Sequence, residues 1–111
     1  MSGFVGAAHE FHDREFVRGW AARFVPTAPR LQLFDMILDQ IAQPGVPNSH
    51  VVELGLGPGY MARHLLQRNA TISYEGIDFS EVFFEVARET LGDLISRVTL
   101  TRADFMDQSW P

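Results

Sequence analysis

His50-Val51-Val52-Glu53-Leu54-Gly55-Leu56-Gly57-Pro58-Gly59 is the stretch that decides the fold. Its first five residues are short, β-branched and largely apolar, the composition of a buried strand. The glycines that follow let the backbone turn sharply and let a ligand approach without a Cβ in the way. Tyr60 to Arg68 then resumes helical spacing through Met61, Leu65 and Leu66. Pro58 suits the first helical position, where its missing N–H has no intrahelical partner to lose. The reading is strand, glycine loop, helix. Such a helix start presents free N–H groups and a positive dipole end, so a carboxylate or phosphate belongs beside it.

Outward from this unit the same alternation continues. Thr71 to Ile77 reads as a second strand ending at Asp78, and Ser80 caps a helix through Val82, Phe83, Val86 and Ala87 that Gly92 stops. Arg97 to Thr101 reads as a third strand, which delivers Arg102-Ala103-Asp104-Phe105 at its end. β-α-β-α-β calls for a parallel sheet, of spatial order 3-2-1, joined by crossover helices. Two helices lead into it. Ala8 to Val25 carries Phe11, Val17, Trp20, Ala21 and Phe24 at helical spacing and is closed by Pro26. Thr27 opens the second as a candidate N-cap, with Pro29 in the first turn, an apolar stripe of Leu31, Phe34, Ile37, Leu38 and Ile41, and Gln43-Pro44-Gly45 as its stop. Residues 1–48 are thus expected to form a helical lid or packing segment, and 49–111 the β-α-β-α-β unit.

At 111 residues the chain has room for one small domain, and 46% hydrophobic content supplies a core. A net charge of −5, with no basic run, argues against a surface built for nucleic acid or anionic lipid. The absence of cysteine removes disulfides and thiolate metal sites. No signal sequence is legible and no apolar run approaches the ~20 residues that cross a bilayer, so a cytoplasmic protein without membrane partners is expected.

The glycine spacing separates cofactor classes. A dinucleotide fingerprint G-x-G-x-x-G starting at Gly55 places its third glycine at position 60, where Tyr60 stands. E-L-G-L-G-P-G after Val51-Val52 instead resembles the first motif of class I S-adenosylmethionine-dependent methyltransferases, and the likeness continues through G-I-D-F-S and A-D-F in the same order. The resemblance implies a Rossmann-like α/β domain that binds S-adenosylmethionine. It implies that Gly55, Leu56, Gly57 and Gly59 surround the methionine portion, with Glu53 near its amino group. Asp78 would accept from the ribose hydroxyls, Phe79 would pack on the purine, and Asp104 with the Phe105 backbone would meet the adenine. It further implies methyl transfer to a small-molecule acceptor.

Alongside this enzyme reading stand a noncatalytic cofactor-binding or regulatory module and a dinucleotide-binding domain. No catalytic base is assignable. His9-Glu10-Phe11-His12 has two histidines three apart without a clear third ligand and reads as a solvated helix face; no metal is expected. His50 and His64 have no special role in this reading. Trp20, Phe24, Phe34, Phe83 and Phe84 read as core, with Trp20 and Phe24 also within reach of a cofactor under a lid. The likeness ends after the third strand, so the chain is expected to be the front half of such a domain, with Val51 to Leu54 as an unpaired edge open to self-association.

Overall fold

In the computed structural model the described residues are 10–43 and 48–103. A 3-10 turn, Glu10–His12, precedes helices α1 (Arg14–Arg23) and α2 (Ala28–Ile41). Then come strand β1 (His50–Leu54), helix α3 (Tyr60–Arg68), strand β2 (Ser73–Asp78), helix α4 (Glu81–Leu91), a 3-10 segment Gly92–Arg97 and strand β3 (Val98–Arg102). The three strands form one parallel sheet in the order β1-β2-β3, which is the 3-2-1 arrangement expected for a Rossmann-like half sheet. No described helix is long and apolar enough to cross a membrane.

Register explains the layering. Val51, Tyr74 and Val98 stand abreast, as do Glu53, Gly76 and Leu100. Successive strand side chains alternate faces, so these residues share one face of the sheet. That face carries the main core, where Leu56, Leu65, Leu66, Tyr74, Phe84 and Leu91 are buried with α2 packed at the margin. Each such large side chain contributes about 1.5–3 kcal/mol by leaving water. Gly76 is required here, because a Cβ on it would stand 2.7 Å from a Leu56 methyl. A second cluster joins Val17 and Ala21 of α1 to Val82, Phe83 and Val86 of α4. Two exposed arginine pairs, Arg14–Glu85 and Arg18–Glu89, both 2.7 Å, lie across the same seam.

The opposite face mixes polar pairs with apolar side chains. His50 Nδ1 is 2.6 Å from Ser73 Oγ, and Thr101 Oγ1 donates to Glu75 at 2.6 Å. Val52 and Leu54 on that face remain 49% and 57% exposed. Among the described residues β1 pairs only with β2, leaving its other edge open as expected.

Local chemistry moves several boundaries. The helix expected over 8–25 begins at Arg14, because Asp13 takes an extended conformation and its side chain accepts from Phe16 N at 2.9 Å, a cap that ends the preceding turn. It finishes at Arg23, with Phe24 as the C-cap. Thr27 occupies its cap position without a side-chain bond. Pro58 does not open α3; Gly59, at φ 86°, is the cap and Tyr60 the first helical residue. β2 starts at Ser73 rather than Thr71, since Asn69 Oδ1 holds Thr71 N and Ile72 N in a turn. Arg97 stays out of β3, its guanidinium donating to the carbonyls of Leu66, Asn69 and Ile72. Ser80, accepting from Phe83 N, and Gly92, at φ 55°, bound α4 as expected.

Candidate functional site: a glycine loop under a helical wall

The C-terminal end of β1 runs straight into three left-handed glycines, Gly55, Gly57 and Gly59, at φ 76°, 57° and 86°. Each would be strained with any side chain. Their surroundings differ. A Cβ on Gly57 would meet nothing within 4 Å, whereas one on Gly59 would press on Ala87 Cβ at 3.3 Å. Gly57 therefore faces open space, and Gly59 lets α3 pack against α4. Gly55 N and Leu56 N both donate to the Ile77 carbonyl, at 2.8 and 3.2 Å, which seats the loop on the end of β2. Leu56 is buried over Gly76.

Asp78 locks this arrangement. One carboxylate oxygen accepts from Gly57 N at 2.9 Å and the other from Ser80 N at 3.2 Å. The side chain is only 4% exposed, and burial raises its pKa, against the pull of backbone donors from Gly57, Ser80 and Phe79. The acid at the end of the second strand is thus a clamp on the glycine loop in this state. Phe79, beside it, packs 6.1 Å from the Phe11 ring and 5.4 Å from His12. The leading turn therefore sits over the same strand end, where Ser80 Oγ donates to the Phe11 carbonyl.

Glu53 lies on the covered face, one residue before the end of β1. Tyr74 OH donates to its Oε1 at 2.6 Å. Burial pushes the Glu53 carboxyl from 4.5 up to about 7, the Tyr74 bond opposes this, and the Asp78 charge adds to it. Burial, followed by the neighbouring Glu53 carboxylate, also drives the Tyr74 phenol upward. A half-buried acid at the mouth of a cleft is poised to ionise when a cation arrives.

That cleft measures about 580 Å³. Its floor is Glu53, Gly55, Leu56 and Gly57, and its side wall is Tyr60 and Met61 of α3. Its outer wall comes from the end of α1 and the start of α2: Trp20, Arg23, Phe24, Thr27, Arg30 and Phe34. Tyr60 OH donates to the Ala21 carbonyl at 2.7 Å and ties this wall to α3. A second tie is His64 Nε2, 2.6 Å from Asp35 Oδ1 across α2 and α3.

Of the residues expected at the site, Glu53, Gly55, Leu56 and Gly57 converge on the cleft, and Asp78 is joined to them through Gly57. Gly59, Asp78 and Phe79 are outside its walls. Asp104 and Phe105 lie outside the described residues, as does His9. Among the described residues no three His, Asp or Glu side chains are grouped to hold a metal. Phe34, Phe83 and Phe84 are buried as expected, but Phe24 is 55% exposed on the cleft wall rather than in the core. Sequence reasoning missed Tyr74, Arg23, Arg30 and Tyr60. Tyr74 is predictable only from the parallel register, which sets it opposite Val51 on the face that Glu53 shares.

Fold and site together define a Rossmann-like cofactor-binding unit, with its ligand loop at the carboxyl ends of parallel strands. Residues 51–111 match the family model of the methyltransferase domain, and the chain belongs to that family. Among solved structures, one described as a candidate S-adenosyl-L-methionine-dependent methyltransferase from Methanococcus maripaludis superposes with a TM-score of 0.68 at 19% identity, over 92% of this chain and 46% of that one. Magnesium protoporphyrin IX methyltransferase from Synechocystis, with bound S-adenosylhomocysteine, gives 0.63 at 20% identity, over 86% and 48%. A methyltransferase from Thiobacillus denitrificans in complex with S-adenosylhomocysteine gives 0.57 at 21%, over 78% and 34%. These likenesses are of fold, and the chain spans less than half the length of each of these structures. No curated protein matches the sequence.

Proposed function

We propose that this chain is the cofactor-binding part of an S-adenosylmethionine-dependent methyltransferase acting on a small-molecule acceptor. The observation that carries this reading is the left-handed glycine loop, open at Gly57, clamped by Asp78 and floored by the partly buried Glu53. The residues fit the group. Gly57 leaves the space that a Cβ would fill, and a cation beside Glu53 would restore the ionised state that burial disfavours.

S-adenosylmethionine, when bound, supplies an activated methyl group for in-line transfer, so the protein's work is positioning and exclusion of water. Glu53 takes the methionine ammonium, held in place by the Tyr74 hydroxyl. The N–H groups at the start of α3 lie on the side suited to the methionine carboxylate. A carboxylate has about four acceptor sites, and backbone donors from Gly57, Ser80 and Phe79 engage three of those on Asp78, leaving capacity for a ribose hydroxyl. Phe79 flanks the purine, and Asp104 with the Phe105 backbone completes the adenine contacts.

Isothermal titration of the chain with S-adenosylhomocysteine and with NAD tests the assignment. Binding of the first and not the second is expected. Preference for NAD would return the chain to the dinucleotide-binding class, and binding of neither would remove the cofactor reading.

A further inference from the structure

The outer side of the cleft has a chemistry of its own. All nine basic residues are arginines. Arg14 and Arg18 are paired with Glu85 and Glu89, Arg63 stacks over Tyr60, Arg68 approaches Asp35, and Arg97 and Arg102 bond to carbonyls. Arg88 acts on Glu85, whose pKa it helps to lower. The Arg23 and Arg30 side chains have no ion-pair, hydrogen-bond or ring partner among the described residues, and both line the cleft's outer wall. In a chain of net charge −5, with paired arginines on the same α1 helix, two unpaired guanidinium groups at one opening are a local reversal of sign. Beside them Trp20 and Phe24 pack with ring centroids 4.6 Å apart, and the Phe24 side chain remains exposed toward the cleft.

Resting on the methyltransferase reading above, we infer that this outer wall is the acceptor subsite and that it takes a planar aromatic acid. Its carboxylate would lie on Arg23 and Arg30, and its ring against Trp20 and Phe24. The guanidinium fork matches a carboxylate in shape and charge. The aromatic pair offers flat apolar area to a flat ligand. Among the described residues Glu53 is the only carboxylate lining the cleft, and the cofactor ammonium would neutralise it, so the ligand's charge is not opposed from the floor. An acid held at the outer wall would share one cleft with the glycine loop that would hold the cofactor.

The chain is titrated first with S-adenosylhomocysteine alone, then, saturated with it, with 4-hydroxybenzoate, 4-hydroxybenzamide and cyclohexanecarboxylate. Ligand-observed NMR reads the binding. The aromatic acid is expected to bind ten- to a hundredfold more tightly than its amide. The double variant Arg23→Gln, Arg30→Gln should erase that difference while leaving amide binding and S-adenosylhomocysteine affinity within about twofold; among the described residues neither arginine side chain has a partner whose loss would unsettle the fold. Trp20→Leu should weaken both aromatic probes. Equal binding of acid and amide overturns the inference. So does a double variant that loses S-adenosylhomocysteine affinity and keeps the acid preference, since the arginines would then hold the cofactor's carboxylate. If the first titration shows no S-adenosylhomocysteine binding, the methyltransferase reading fails separately, and the same probes on the free chain still decide whether an aromatic-acid site exists.

Discussion

Replacing Glu53 by Gln tests the site through the stability of the fold. The substitution keeps an oxygen that accepts from the Tyr74 hydroxyl and removes only the ionisable proton. In the folded chain the Glu53 carboxyl holds its proton up to about pH 7, against an ordinary value of 4.5. Between those two values the unfolded chain has released a proton that the folded chain retains, so stability falls as pH rises. The whole contribution is present below pH 4.5 and is lost by the time pH passes 7. A displacement of about 2.5 pH units is worth about 3 kcal/mol at 1.36 kcal/mol per unit. Urea denaturation followed by circular dichroism at pH 5 and pH 8 measures it. Relative to the parent, Glu53→Gln should gain about 3 kcal/mol at pH 8 and much less at pH 5. Asp78, whose pKa is also raised, leaves a shallower slope of the same sign in the variant. The variant should bind S-adenosylhomocysteine more weakly, and the rise in the parent's affinity between pH 5.5 and 7 should vanish. Identical pH slopes for parent and variant would refute the argument that Glu53 is a strained, half-buried acid.

Asp78→Ala should cost about 1–3 kcal/mol of stability through the unpaired Gly57 and Ser80 N–H groups, and ten- to a hundredfold in S-adenosylhomocysteine affinity by calorimetry. Parent-like binding would remove the ribose assignment. Gly57→Val should cost the fold at least about 1–2 kcal/mol of backbone strain, since its Cβ meets open space, yet abolish cofactor binding. A variant that unfolds, or one that still binds, contradicts this. We further propose that copies of the chain associate at the open β1 edge, so that light scattering should show mass rising with concentration. Val52→Lys with Leu54→Lys should hold the chain monomeric, and a monomeric parent at high concentration would show that the edge is already protected.

Where a local rule suffices, the sequence predicts the element closely. β1 occupies His50–Leu54 and α3 occupies Tyr60–Arg68, because a β-branched run, a glycine loop and helical spacing agree there. Three of the misplaced ends reflect a side chain bonding to backbone: Asp13 breaking the leading helix and Asn69 delaying β2 through local bonds, and Arg97 held outside β3 by carbonyls distant in sequence. The motif marked Glu53 and the loop glycines as candidates, and of these Glu53, Gly55 and Gly57 line one cleft while Gly59 does not. The Asp78 clamp and the Tyr74 partner were not legible, since both depend on how β1 and β2 align. The outer wall was least legible. Arg23 and Arg30 belong to the cleft only because α1 docks on α4 and α2 on α3, long-range events without a local signal.

The docking of α1 on α4 has a consequence in time. Arg14 and Arg18 reach glutamates 71 residues further along the chain, whereas each pair of neighbouring strands is joined through a single intervening helix. Closing the longer loop costs more chain entropy, and its contacts reward that cost only after α4 exists. In refolding experiments Val17→Ala should therefore chiefly accelerate unfolding, while Leu65→Ala in the sheet-covering core should slow folding. Equal slowing by both would reverse the order. On this schedule the sheet, the glycine loop and the Asp78 clamp are assembled while the cleft still lacks a side, and the wall that defines it is the last piece to arrive.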